Sequence, residues 1–447
     1  MKKQTIISIV LIILLIVILG VLIFFMVNNN SNNSSEIRQG QMGQPPEGEP
    51  GKMGGTPGGS NSTSVEASGE VEITDEQTLS NMKYTTTSYG VNALLIQNGG
   101  NLNLSNSSIE KSGDTSDENS DFYGTNAGIL VNNNGKLTLT DSNITTNGSH
   151  ANGVFVYGTG EAYLKNITIN TSKNNSGGIM VAGGGTLVAE NTSATTEGNS
   201  SAAIRSDRGG GTMTVTGGTY TTNGVGSPAI YSTADITVEN ATLISTKSEG
   251  AVVEGKNSIT LKNVNLTDTN TTLNGNSETY KNIFLYQSMS GDADEGTSSF
   301  TAENSTITTN KGDTIFVTNT SAVIKLVNNT IINNDGDFLR IQAGKWGKSG
   351  SNGGTVSLSM SKQSVKGNII VDNVSTLDMT MQDGSYFEGT INGDNTAKSI
   401  SLKLDSNSKI KLTGDSYITS IDNTVTDYAN IDFNGYTLYV NGNAIKY

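Results

Sequence analysis

A pair of aliphatic residues separated by one position recurs along this 447-residue chain, and the recurrence limits what it can fold into. The pairs begin at Leu94 and Ile96, Ile129 and Val131, Val154 and Val156, and Ile179 and Val181. The same segment returns, with a changed second member in places, at Ile204, Ile230, Val252, Ile283, Ile315, Leu339 and Ile369. Its central steps are 25, 25, 25, 26 and 22 residues. Alternation with a period of two describes a strand with one buried face, and β-branched residues suit that setting. A second alternating segment follows in each repeat, as at Leu102 and Leu104 or Ile236 and Val238. A third apolar or small residue lies five positions further on, as at Ile109, Ile144, Ile169 and Ala194. A unit this small cannot bury its apolar side alone, so three short strands per coil must stack coil on coil. The expected fold is all-β, a parallel β-helix of about eleven or more coils.

The turn between the second and third strands carries a second signal. Two residues past the last inward residue stand Asn106, Asp141, Asn166, Asn191, Gly217, Asn240, Asn263, Asn304 and Asn328. A tight bend there requires positive φ, which Asn, Asp and Gly tolerate best. Stacked asparagines can also hydrogen-bond to one another from coil to coil.

Composition then excludes several chemistries. The chain has no cysteine and one histidine, His150, which removes disulfides, thiolate zinc sites, cysteine nucleophiles and histidine-pair metal sites. His150 itself is assigned no role. The formal net charge of -14 argues against nucleic acid as a partner, because phosphate contacts need a basic face.

The strand pattern with its asparagine ladder resembles the right-handed parallel β-helix of the pectin-lyase-like superfamily. The Gly/Asn/Thr-rich coils behind an N-terminal apolar segment resemble surface proteins of Gram-positive, Firmicutes-type bacteria. The resemblance spans roughly residues 70–445 and speaks to fold more than to activity, since this fold hosts lyases, hydrolases, adhesins and tailspikes alike.

Three regions are expected. Residues 1–27 read as a signal anchor and transmembrane helix: Thr5 to Val27 is an almost unbroken apolar run behind Lys2 and Lys3, long enough to cross about 30 Å of hydrocarbon. The lysines place the N-terminus in the cytoplasm, and the run ends without a convincing cleavage site. A cleaved signal with a released protein is the alternative. Residues 28–69 hold four of the five prolines among Gly, Ser and Asn and read as a flexible linker. Residues 70–447 form the β-helix, outside the cytoplasm, with the final segment as a cap over the exposed last coil.

Residues between the inward pairs point outward. Stacked, they read Leu95, Leu130, Phe155, Met180, Arg205, Tyr231, Val253, Phe284, Phe316, Arg340 and Ile370, beside a column containing Tyr157, Asp207 and Tyr286. Such a ribbon would run about 50 Å at roughly 4.8 Å per coil. A solvated sheet face is normally polar, so the ribbon is either a binding surface or is covered by loops inserted at 110–125 and 267–281. On the first reading Phe155, Tyr157, Tyr231, Phe284, Tyr286 and Phe316 stack on sugar rings. Arg205, Asp207, Arg208 and Arg340 then add polar contacts, and Trp346, in a Gly-rich loop, is either an exposed stacking indole or folded back over the coil. Glu254 falls on an inward site, so a local register slip at the 22-residue step is expected there.

The leading function is therefore an adhesin-like, membrane-anchored protein that binds cell-surface or host glycans. Lyases of the resembled fold abstract a proton with Arg or Lys, which would make Arg205 and Asp207 catalytic. A polysaccharide lyase or hydrolase is one alternative and a non-binding surface rod another; a structural Arg-Asp-Arg cluster is the simpler reading of Arg205, Asp207 and Arg208. Calcium is the one cofactor considered, at Asp292, Asp294 and Glu295, although their spacing matches neither an EF-hand nor the nonapeptide repeat.

Overall fold

The computed structural model describes residues 66–273, 277 and 279–445. The chain divides into two units, 1–41 and 42–447, and every described residue belongs to the second. The anchor expected over 1–27 and nearly all of the linker expected over 28–69 lie outside the described residues. Among the described residues no helix is long and apolar enough to cross a membrane.

The described residues form a right-handed parallel β-solenoid of about 15 turns. Three long sheets contain 12, 14 and 10 strands, each strand pairing with its counterpart one coil away. The second sheet is the longest, and in the last coils a four-stranded sheet takes the place of the third. Aliphatic residues repeated at one register explain the stacking. Val154 and Val156 pair with Ile129 and Val131 on one side and with Ile179 and Val181 on the other. The same holds for Ile144, Ile169 and Ala194 in the third sheet. Their side chains merge into one continuous apolar core from Ile73 to Leu438. At the C-terminal end Leu438–Val440 pairs antiparallel with Asn443–Ile445, the expected closing hairpin.

All nine predicted bend positions have positive φ, between 47° at Asn106 and 74° at Gly217. The ladder is bonded at three steps: the Asn166, Asn263 and Asn328 amides donate to Asp141 (2.8 Å), Asn240 (3.3 Å) and Asn304 (2.7 Å). An L-residue other than Asn, Asp or Gly pays roughly 1–2 kcal/mol there. Asn166→Ala is therefore expected to destabilise its coil by about 1–2 kcal/mol, and Asn166→Gly by much less. Hydrogen exchange in the adjacent coils measures the difference, which suits a repeat architecture that opens locally.

The register slip expected at the 22-residue step is present. Ile230 pairs with Ala251, Tyr231 with Val252 and Ser232 with Val253, so the step is one residue shorter than the apolar pattern suggests. A one-residue shift exchanges the faces of a strand. Val253 therefore joins the core and Val252 the outward column, the reverse of the expectation, and Glu254 stands outward beside Tyr286.

Candidate functional site

The outward ribbon exists as a column but not as an open surface. Leu95, Leu130, Phe155 and Met180 are 0% exposed, and Phe284, Tyr231 and Phe316 only 4–8%. Two insertions cover it. In the first, the short helix Asn119–Tyr123 ends at Gly124, whose φ of 71° turns the chain directly over Phe155. A Cβ on Gly124 would lie 2.5 Å from the Phe155 ring. Tyr123 meets Tyr157 edge-on at 5.4 Å. The second covering comes from the loops after Tyr286 and Ile341. Trp346, 3% exposed, packs against Tyr286 at 5.6 Å, Tyr286 stacks on Phe284 at 4.4 Å, and Phe284 on Phe316 at 5.6 Å. Phe155, Tyr231, Phe284, Tyr286, Phe316 and Trp346 thus form two small cores beneath the insertions, and a sugar ring has no path to their faces; Tyr157 remains partly exposed at the margin. The physical reason is elementary: a large apolar ribbon lowers its free energy by taking loops out of water along with itself.

A charged network lies between the two cores. Arg205 stands between Met180 and Tyr231 in the column, and its guanidinium donates to Asp207 at 3.0 Å. Burial pushes Asp207 up to about 7, against the opposing pull of Arg205. Arg208 reaches outward, donating to Asp292 at 2.7 Å while its guanidinium sits 3.8 Å over the Phe122 ring. It thereby joins the 110–125 insertion to the 288–296 loop. Glu254, 0% exposed, accepts hydrogen bonds from Tyr231, Tyr286 (2.8 Å) and Ser288. Burial raises its pKa, with the three hydroxyls opposing. Arg340 is held separately by Asp313 and Asp337, each at 2.7 Å.

The structure thus brings Arg205, Asp207, Arg208, Glu254 and Asp292 into one neighbourhood and leaves Arg340 outside it. A general base must come within hydrogen-bond reach of the proton it takes. Here Arg205 is occupied by Asp207, and Glu254 lies wholly beneath side chains that bond to it. The calcium candidates are engaged elsewhere: Asp292 turns to Arg208 and Asp294 to Lys256 at 2.9 Å. Among the described residues no group of three or more acidic or histidine side chains is placed to hold a metal ion. His150 bonds Asp121 at 3.0 Å in the covering insertion.

The Glu254 network was missed by sequence reasoning, although the short step at Val252 was the available signal. The open concavity of this region lies elsewhere, on the far side of the 288–296 loop. It is a cleft of about 540 Å³ between that loop, the start of strand Thr320–Val327 and the Gly344–Ser351 loop.

Another buried acid, Asp268, marks how strictly the coil selects residues. The last position of the third strand is Thr146, Thr171, Thr196, Thr222, Ser245, Asp268 and Thr309 in successive coils. Asp268 is 0% exposed, and one carboxylate oxygen has no partner among the described residues. Burial pushes its pKa up to about 7 from 3.8. The folded state therefore binds this proton more tightly than the unfolded state. Its contribution is fully present below about pH 4 and is lost as the pH rises towards 7. A shift of that size is worth on the order of 4 kcal/mol. Asp268→Thr is expected to flatten stability between these limits and to gain a few kcal/mol above pH 7, read from denaturation midpoints across the pH range.

Comparison of the chain with family models, with curated proteins and with solved structures finds no match.

Proposed function

We propose that this chain is a non-catalytic, adhesin-like β-solenoid of the cell surface that binds glycans. Its placement near the pectin-lyase-like solenoids of Gram-positive surface proteins rests on the asparagine ladder and the composition. Its placement outside the cytoplasm, held by the membrane, rests on the apolar run from Thr5 to Val27. The observation that carries the reading is the state of the charged groups. Arg205, Asp207, Arg208 and Glu254 are each spent on one another or on the covering loops, while the accessible cleft is lined mainly by amides and hydroxyls. Groups of that kind suit recognition of hydroxyl-rich polymers and do not supply a reactive acid-base pair. The ribbon's part in this reading is to anchor the loops that shape the cleft.

The test uses the purified full-length chain, probed against arrays of neutral and acidic glycans and assayed in parallel for unsaturated uronate products by ultraviolet absorbance. Binding without product release is expected. Product release abolished by Arg205→Ala would replace this reading with a lyase, and absence of binding to every glycan would remove it.

A further inference from the structure

We infer that the outer face of the third sheet is an ice-binding surface, a function beyond the glycan-binding reading and independent of it.

From Asn143–Thr146 to Thr330–Asn333 this sheet stacks eight strands, and in each the first and third residues point outward. All sixteen outward positions are at least partly exposed, so this face is not roofed as the apolar ribbon is. Ten are threonine, three asparagine, one serine and two isoleucine, and none is charged or aromatic. Threonine is at home on an exposed strand, but that preference does not account for the missing charge. The second sheet runs through the same eight coils and presents nine charged side chains at its outward positions, among them Lys136, Glu161, Glu190 and Lys262. The two columns of the third sheet are in register: Thr219 and Thr221 lie beside Thr242 and Ile244, and Thr306 and Thr308 beside Thr330 and Ile332.

Spacing and chemistry together select the partner. Neighbours in a column stand about 4.8 Å apart and the two columns about 6.6 Å apart, over a length of about 34 Å. The result is a regular two-dimensional lattice of hydroxyl and methyl groups, with repeats on the scale of those between water molecules in ice. None of the ten threonine hydroxyls has a hydrogen-bond partner among the described residues. Inward threonines of the same strands are instead spent on the backbone, Thr146 on the Ala151 carbonyl at 2.7 Å and Thr171 on the Ser176 carbonyl at 2.5 Å. A free hydroxyl both donates and accepts, as each lattice water does, and a methyl group restricts the orientation of the water beside it. Charged side chains would bring hydration shells of their own, costly to remove, so their exclusion from this face is what a water lattice requires. Branching at Cβ limits χ1, which sets the array before contact, and many weak contacts then engage together. A crystalline polysaccharide is the other regular, periodic partner, but the face offers it no ring to stack on: Tyr220, between Thr219 and Thr221, is 0% exposed and belongs to the core.

The purified full-length chain is assayed for thermal hysteresis in a nanolitre osmometer and, fluorescently labelled, for adsorption to a growing ice hemisphere. Thr221→Lys and Thr308→Lys each place a charge in the array, three coils apart, and Thr237→Lys makes the same exchange on the second sheet, where charges already stand. Wild type and Thr237→Lys are expected to show hysteresis and to enter the ice. Thr221→Lys and Thr308→Lys are expected to have hysteresis reduced at least tenfold with the thermal midpoint unchanged, and to remain in the liquid; should one of them fold poorly, the other decides. Absence of hysteresis and adsorption in the wild type overturns the inference and leaves the glycan reading standing. Equal activity in all three variants also overturns it. Adsorption of the wild type to crystalline cellulose or chitin but not to ice, lost in Thr221→Lys, overturns it as well and gives this face to the glycan reading.

Discussion

Lys281→Met is expected to cost the solenoid about 3–5 kcal/mol, the usual penalty for leaving one member of a buried ion pair without its partner. Lys281 and Glu249 have side chains only 3% and 4% exposed, 3.2 Å apart. Glu249 also accepts from Ser248 at 2.6 Å, and the Lys281 ammonium donates to the Thr279 carbonyl and to Ser277. The ammonium lies 4.5 Å from the centre of the Phe284 ring, so the charge is part of the roof over the aromatic cluster. Removing Lys281 strands Glu249, whereas replacing both by apolar residues of similar size removes the desolvation penalty together with the attraction. The double variant Lys281→Met with Glu249→Leu should recover most of the loss. Trp346 is the sole tryptophan and packs in the same cluster, so its fluorescence through a denaturant titration reads each corner of the cycle. A double variant no better than the single would show that the pair is irreplaceable.

Glu254→Ala has an effect of similar size with a different signature. It removes the common acceptor of Tyr231, Tyr286 and Ser288 and leaves three hydroxyls in an enclosed space. At about 1–3 kcal/mol for each stranded polar group the loss reaches at least about 3 kcal/mol. The change is local, because the core beneath is held by the aliphatic stack. Limited proteolysis is expected to cut the 288–296 loop much faster in the variant while the far coils stay protected. Glu254→Gln keeps an acceptor oxygen and should fall between the two. Since burial raises the Glu254 pKa, the folded state binds this proton more tightly than the unfolded state. Stability from the group is greatest below the ordinary glutamate range and declines as the pH rises through the raised value, so the difference between Glu254→Gln and the wild type narrows or reverses towards alkaline pH. Equal cleavage rates in all three proteins would show that the carboxylate does not hold the loop.

The coil was readable from the chain because its information is local and repeated. Each inward pair, such as Val154 and Val156, and each bend, such as Asn166, is specified within one strand or turn and confirmed a coil later. The local failure, at Val252 and Val253, came where one step is short and both neighbours are valines, so that either register satisfies the apolar pattern. The candidate site was legible only in part. Arg205, Asp207 and Arg208 stood out by composition, but their partner Asp292 lies 84 residues from Arg208 in a loop outside the period.

Sequence by itself therefore determined the stacked coil, its inward residues and its left-handed bends, because nearest-neighbour periodicity is sufficient for a structure built by repetition. Only the tertiary structure decided whether the outward column of Phe155, Tyr231, Phe284 and Phe316 is surface or core. That outcome depends on how two aperiodic insertions descend onto it, at Gly124 over Phe155 and at Trp346 against Tyr286. An outward apolar side chain gains by burial whatever covers it, so the same residues are compatible with a partner's surface or the chain's own loops. The choice was made by contacts between segments far apart in the chain, which no single coil contains.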